Sequence, residues 1–308
     1  MALHVILGAG GVIANELTRE LVKNGQQVRL VSRSPRAAEG VTDLVAADIT
    51  DYAQTRKAVT GAAVVYLCAG LKYDRKIWGE AWPAIMENTI NACKEANARL
   101  IFFDNVYSYG LVNGPMTEDT PYNPCSVKGE IRAKIVMRLQ DEVRAGNITA
   151  TVARAADFYG PGADKTGFLN ILIIDRFRKN SSAMWFGKDN VTHSYTFTPD
   201  AGAGLYRLSQ DESSWNQVWH LPTFNPAPDG KGYVEMIARQ MQVKPKYMKL
   251  GSVMLTLSGL FDTTIREIKE MLYQNDYPYI FDSSKFEKHF GYKPTPYEEG
   301  VKQTLKNY

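Results

Sequence analysis

Apolar runs of strand length alternate with amphipathic runs of helical period through the first half of the chain. Leu3 to Leu7 reads as a buried strand, Asn15 to Lys23 as a helix, and Gln27 to Val31 as the next strand. Leu44 to Ile49 is a short third strand, residues 51–60 look helical, Ala62 to Leu67 is a fourth strand, and Ile85 to Ala96 is a helix. Arg99 to Phe103 follows as a fifth strand, Lys128 to Val143 as a long helix, and Ile148 to Ala153 as a sixth strand. This rhythm predicts an α/β fold: a doubly wound parallel sheet with helices on both faces. Ligands of such sheets sit over the carboxyl ends of the strands. Attention therefore falls on Cys68-Ala69-Gly70 after the fourth strand, on Asp104 to Gly110 after the fifth, and on Asp157 to Gly162 after the sixth. Further on, Asn225 to Gly232 mixes prolines and glycines with polar residues and predicts a crossing between lobes.

The first strand runs directly into Gly8-Ala-Gly10-Gly11 and then into a helix. A parallel-sheet protein seats a dinucleotide pyrophosphate on such a turn. Gly8 permits the tight turn, Gly10 and Gly11 let the backbone approach the phosphates, and the first helical turn, Val12 and Ile13 included, points unpaired N–H groups at them. Glycine also ends strands for purely conformational reasons. The strand before this run and the helix after it favour the cofactor reading.

The second strand ends in Ser32-Arg33-Ser34, and no carboxylate lies between Glu20 and Glu39. An acidic residue here would suit the ribose 2′-hydroxyl of NAD, whereas arginine suits the 2′-phosphate of NADP through a charge-assisted contact. Ser32 and Arg33 therefore point to NADP, with NAD as second choice; the competing reading of Arg33 is a solvated loop. Asp48-Ile49, at the end of the third strand, offers a carboxylate for the adenine amino group or, almost as readily, a loop-starting or helix-capping residue.

Composition narrows the class. With 308 residues, 44% hydrophobic and 22% charged, the chain can bury a full core with a smaller second lobe. A net charge of +3 without a dense basic run argues against nucleic acid. No apolar run reaches membrane-spanning length, and a strand that starts at once leaves no room for a signal peptide, so a cytoplasmic protein is expected. Cys68, Cys93 and Cys125 lack metal-like spacing and read as reduced thiols; the four scattered histidines make no zinc pattern, and no metal is expected.

The cofactor turn Gly8-x-x-Gly11-x-x-Ala14, Asp48-Ile49, Tyr107-Ser-Tyr-Gly110, Arg154-Ala-Ala-Asp-Phe-Tyr-Gly-Pro-Gly162 and a tail from Phe281-Asp282 to Gly300 resemble the extended short-chain dehydrogenases/reductases of the NAD-dependent epimerase/dehydratase family, in an atypical branch. The resemblance implies a Rossmann domain over residues 1–164, with about 195–224 returning to it, and a smaller, discontinuous substrate lobe from 165–194 and 225–308. It implies that Cys68, Ala69, Gly70, Ala155 and Ala156 line the cofactor alongside the glycine turn, that the substrate is a small molecule, and that the chain forms a homodimer.

The family's chemistry depends on a Tyr-x-x-x-Lys pair in which lysine and nicotinamide depress the tyrosine pKa. Lys128 occupies the lysine's place, but Pro124 stands four residues earlier, and no tyrosine here has a lysine at plus four. The family's Ser/Thr position falls on Asn105. Three explanations remain: another tyrosine supplies the phenol, with Tyr107 favoured because it shares a side of an extended segment with Asn105; the protein binds NADP(H) without turnover, as a redox sensor; or the proton comes from water or Lys128. Tyr107 and Tyr109 read equally as aromatic walls. Arg132, one turn from Lys128, shares its face, and cations on a first helical turn call for a compensating partner. Lys72, Tyr73, Trp78 and Trp82 offer a cationic and aromatic lip next to Gly70 suited to a sugar or another polar ring, with core packing the competing reading and the favoured one for Trp82; Asp157 either faces substrate or caps a turn.

Overall fold

A computed structural model describes residues 2–251 and 267–306. Its main sheet is built as expected from strand–helix alternation. β1 (Leu3–Leu7), α1 (Val12–Lys23), β2 (Gln27–Ser32), β3 (Asp43–Ala46), α2 (Tyr52–Val59), β4 (Val64–Leu67), α3 (Arg75–Ala96) and β5 (Arg99–Asp104) come first. β6 (Pro115–Met116), α4 (Val127–Arg144), β7 (Ala150–Arg154), β8 (Asp157–Tyr159), α5 (Asp175–Arg178), β9 (Ala183–Phe186), β10 (Tyr195–Phe197), α6 (Thr198–Gln210), β11 (Val218–His220), α7 (Gly230–Met241), β12 (Tyr247–Leu250) and β13 (Ile280–Phe281) follow.

Seven strands pair in the order β11-β7-β5-β4-β1-β2-β3, all parallel, so the chain crosses over at β1 and β4 and opens a crevice at their carboxyl ends. Val5, Leu7, Val65, Leu67 and Phe102 bury one face against α3 and α4, while Ile6, Tyr66 and Ile101 bury the other against α1 and α6. Each such side chain contributes about 1.5–3 kcal/mol by leaving water. A separate apolar cluster joins Leu169, Phe177, Trp185, Tyr195, Tyr233 and Tyr297 in the second half of the chain. No helix among the described residues is long and apolar enough to cross a membrane.

Two boundaries differ from expectation. α3 starts at Arg75 rather than Ile85 because the Asp74 carboxylate accepts from the N–H groups of Lys76 (2.8 Å) and Ile77 (3.2 Å), capping the helix; buried Trp78 and Trp82 then carry it past Pro83. β3 ends at Ala46, so Asp48 and Ile49 lie in the loop beyond it.

Candidate active site

β1 hands its chain to a turn in which the N–H groups of Gly8 and Ala9 both bond the Val31 carbonyl, at 2.9 and 3.0 Å. Gly8 is at φ +94°, and a Cβ there would lie 2.4 Å from the Ala69 Cα; only glycine lets β1 and the loop after β4 approach so closely. Gly10, at φ +93°, faces open space, where a Cβ would meet nothing within 4 Å. Gly11 then caps α1 through its backbone alone, with no side chain or first-turn carboxylate quenching the N–H groups at Val12 and Ile13. Cys68 is buried, which pushes its thiol up to about 12. Gly70 and Lys72 are exposed on the loop beyond it, and Ala155 and Ala156 are buried past β7.

On the adenosine side expected from the sequence, Ser32 ends β2 and Arg33 is exposed just past it. Asp48 is held below the usual carboxylate range, first by the N–H and hydroxyl of Thr50 at 2.9 and 2.7 Å and more weakly by the Arg33 charge. Its Oδ1 thus organises the loop before α2 and does not cap the helix; Asp51 supplies that cap through Gln54 N–H at 2.8 Å.

Past β5, Asn105 accepts the Tyr107 N–H on Oδ1 (3.0 Å), so its amide NH2 remains as its donor group. This Asx turn folds Tyr107–Tyr109 into a 3-10 turn, which corrects the extended segment on which the pairing of Asn105 and Tyr107 was expected. The Tyr107 ring stacks on Trp78 at 6.2 Å, and its hydroxyl lies 3.4 Å from that of Tyr73. Burial, with the Asp157 charge, pushes the Tyr107 phenol up; burial does the same at Tyr73, with Tyr107 and then Asp157 adding to it. Neither phenol is prepared to ionise near neutrality.

Lys128 is fully buried at the start of α4. Its ammonium lies over the Tyr73 ring at 4.6 Å and pairs with Glu267 and with Glu270 Oε2 at 2.8 Å. Glu270 also accepts the Lys128 N–H (3.2 Å), and Glu267 accepts that of Arg75 (3.1 Å), so two carboxylates cap α3 and α4 together. The compensating partner demanded by a first-turn cation is supplied by the chain itself.

Two substrate-side expectations are overturned. Arg132 does not share a cleft-facing surface with Lys128: it is 3% exposed, donates through Nε to Asp104 Oδ1 at 2.8 Å, and lies over the Trp82 ring at 4.3 Å. Asp104 Oδ2 accepts from buried Arg154 Nε at 3.1 Å, so one carboxylate joins β5, α4 and β7. Tyr109 is 1% exposed, with its hydroxyl 2.8 Å from His220 Nε2. The other ring nitrogen of His220 faces the Asp282 carbonyl at 2.8 Å and must donate to it, which leaves Nε2 to accept from Tyr109. Both are internal struts rather than surfaces for a small molecule.

Asp157 opens β8 beside Tyr195 of β10, and its Oδ2 lies 3.0 Å from Nε2 of His193, one of the four histidines whose scattered positions made no pattern in the sequence. No spacing in the chain announces this pair, nor that of Lys128 with Glu267 and Glu270 some 140 residues on.

A family model for the NAD dependent epimerase/dehydratase family matches residues 4–219. The 3beta-hydroxysteroid-dehydrogenase/decarboxylase isoform 2 of Arabidopsis thaliana is 24% identical over 370 residues, covering 99% of this chain and 61% of that protein. UDP-glucose 4-epimerase of Thermus thermophilus, solved in complex with NAD, superposes with a TM-score of 0.80 at 16% identity, over 100% of this chain and 98% of that one. DesIV, a dTDP-glucose 4,6-dehydratase from Streptomyces venezuelae solved with NAD and TYD bound, superposes equally well, at 0.80 and 16%, over 100% and 97%. These likenesses in structure are likenesses of fold. The chain spans 61% or less of the length of the curated relatives it matches. With the match running from β1 into the edge strand β11, the chain belongs to the NAD-dependent epimerase/dehydratase family.

Proposed function

We propose that this chain is an NADP-preferring enzyme that transfers hydride to or from a carbonyl or alcohol carbon of a small polar substrate, a sugar or nucleotide sugar being the class that best suits the Lys72–Tyr73 lip. When bound, the nicotinamide dinucleotide supplies or accepts the hydride. The observation that carries the reading is the Gly8–Gly11 cradle: a loop fixed to β2, open above Gly10, with uncapped helix N–H groups beside it. These residues fit a pyrophosphate. Gly8, Gly10, Gly11, Val12 and Ile13 would hold it, Ser32 and Arg33 the phosphorylated ribose, and Asp48 and Ile49 the adenine. Cys68, Ala69, Gly70, Ala155 and Ala156 would wall the nicotinamide side. Lys128 would hold the second ribose in exchange for its carboxylate partners Glu267 and Glu270, and Asn105 NH2 would donate to the substrate oxygen. The homodimer implied by the resemblance and a cytoplasmic setting belong to the same reading.

NADP is preferred here on the strength of Arg33, although the Thermus epimerase and the Streptomyces dehydratase are solved with NAD. Arg33→Asp is expected to weaken NADPH about 10- to 100-fold, the value of a charge-assisted contact to phosphate, while sparing or improving NADH. Fluorescence titration of both coenzymes checks it; equal losses would show that Arg33 never meets the phosphate. Gly10→Ala is expected to cost about 1–2 kcal/mol of stability for its left-handed backbone but at least about tenfold in coenzyme affinity, because the new methyl enters the space above the loop. Denaturation and binding curves on the same sample separate the two effects.

A second reading, a silent NADP(H) sensor, is favoured by one observation: the Lys128 ammonium is already neutralised by Glu267 and Glu270, and no phenol beside it is ready to ionise. A screen of aldehydes, ketones and nucleotide sugars with bound NADPH separates the readings, since turnover of any of them excludes the sensor.

A further inference from the structure

We propose that Asp157 and His193 are the proton-delivering pair of this site, with the Asp157 carboxyl as the catalytic group and His193 as the positioning residue behind it. The proposal rests on the carbonyl chemistry argued above and supplies the acid that the missing Tyr-x-x-x-Lys pair leaves wanting.

The geometry constrains the protons. His193 is fully buried, stacked on Tyr279 at 4.3 Å and 7° and packed against Tyr195 at 4.6 Å. Its Nδ1 lies 3.1 Å from the Gln274 carbonyl oxygen and its Nε2 lies 3.0 Å from Asp157 Oδ2. A carbonyl offers no hydrogen, so Nδ1 must carry one. A carboxylate offers none either, and a neutral ring would set lone pair against lone pair inside a buried site. One further proton therefore lies on the Nε2···Oδ2 line, whichever atom carries it at a given instant.

That proton is placed for delivery. The imidazole is closed off, whereas the Asp157 side chain retains 14% exposure, so the carboxyl is the member of the pair open to an incoming molecule. Around it stand phenols from separate elements: Tyr73 before α3, Tyr107 after β5, Tyr195 on β10, and Tyr273 and Tyr279 from the C-terminal part. The Asp157 charge is among the causes that push each of them up. They stay protonated, which leaves the pair as the mobile proton among them. Lys128 and Glu270, paired at 2.8 Å over the Tyr73 ring, compensate each other. As the carbonyl carbon gains hydride and its π electrons move to oxygen, that oxygen takes the pair's proton. The O–H bond forms as the bond within the pair breaks, leaving neutral imidazole and carboxylate, which regain a proton from solvent. The carbonyl is reduced, the dihydronicotinamide is oxidised, and the charges balance.

The test begins without any cofactor. In 15N-histidine spectra of the full chain at neutral pH, assigned by loss in His193→Gln, His193 should show a far-downfield proton correlated to Nε2 that disappears in Asp157→Asn. Absence of any far-downfield proton shared between His193 Nε2 and the Asp157 carboxyl overturns the proposal. NADPH reduction of p-nitrobenzaldehyde then reads delivery: Asp157→Asn should lower kcat/KM about 100-fold or more at unchanged NADPH affinity, the scale of general acid catalysis. His193→Gln should move the limb of the pH–rate profile toward lower pH, a change that lost packing alone would not produce. Turnover indifferent to Asp157→Asn overturns this proposal alone. NADPH binding with no turnover in the wild type of p-nitrobenzaldehyde or of any aldehyde, ketone or nucleotide sugar in the screen above removes the delivery step together with the enzymatic reading, and absence of NADPH binding refutes the cofactor reading itself.

Discussion

Replacing Asp104 by asparagine is expected to lower folding stability by about 3–5 kcal/mol, the cost of leaving a buried charge without its partner. The carboxylate is completely buried and holds two guanidinium groups at once, Arg132 on α4 and Arg154 on β7. Asparagine keeps the shape but removes the charge that balances them. Burial works against the charge on Arg154, and the Asp104 field together with the Tyr109 and Tyr122 phenols more than offsets it, raising the guanidinium pKa further. The aromatic faces of Trp82 and Tyr109, each 4.3 Å from a guanidinium carbon, cannot substitute for a carboxylate. Urea denaturation of the variant measures the loss. A change below about 1 kcal/mol would mean that the arginines are neutralised elsewhere and that Asp104 does not tie the elements behind Asn105 and Tyr107.

The second large effect is acid lability. Burial, reinforced by the Arg154 charge, drops the His220 pKa from the usual 6.5 to about 3. Between those values the unfolded chain binds a proton that the folded chain refuses, so stability is full above about pH 6.5 and falls with acidification toward pH 3. From pH 7 to pH 5 the loss from this residue alone is about 2 kcal/mol. His4, lowered by burial, adds in the same direction, as does Glu142, held at about 2 chiefly by Arg138, at lower pH. Asp200 and Glu118, raised by burial, oppose it. Denaturation curves at the two pH values should differ accordingly, and His220→Asn should flatten the difference. Equal stability at pH 7 and 5 in the wild type would contradict the buried neutral imidazole.

The periodicity carried the sheet because parallel strands buried on both faces read as apolar runs, and the glycine turn was legible because its backbone geometry tolerates little else. Side-chain partners were not legible. Lys128 and Arg132 stand one turn apart in the sequence, yet one meets carboxylates from residues 267–270 and the other a carboxylate at the end of β5. Helical spacing states which residues share a face and says nothing of what that face meets. The start of α3 was hidden by Gly79 and Pro83, local breakers that burial of Trp78 and Trp82 overrides. Asp157 and His193 meet only because β8 and β10 pair in parallel across 36 residues of chain.

The account stands or falls on the cradle at Gly8–Gly11 and the guanidinium beside it. Isothermal calorimetry of the purified full chain with NADPH and NADH tests both together. Saturable heat with each coenzyme and tighter binding of NADPH is the predicted result; no heat with either would contradict it, however closely the fold matches its relatives.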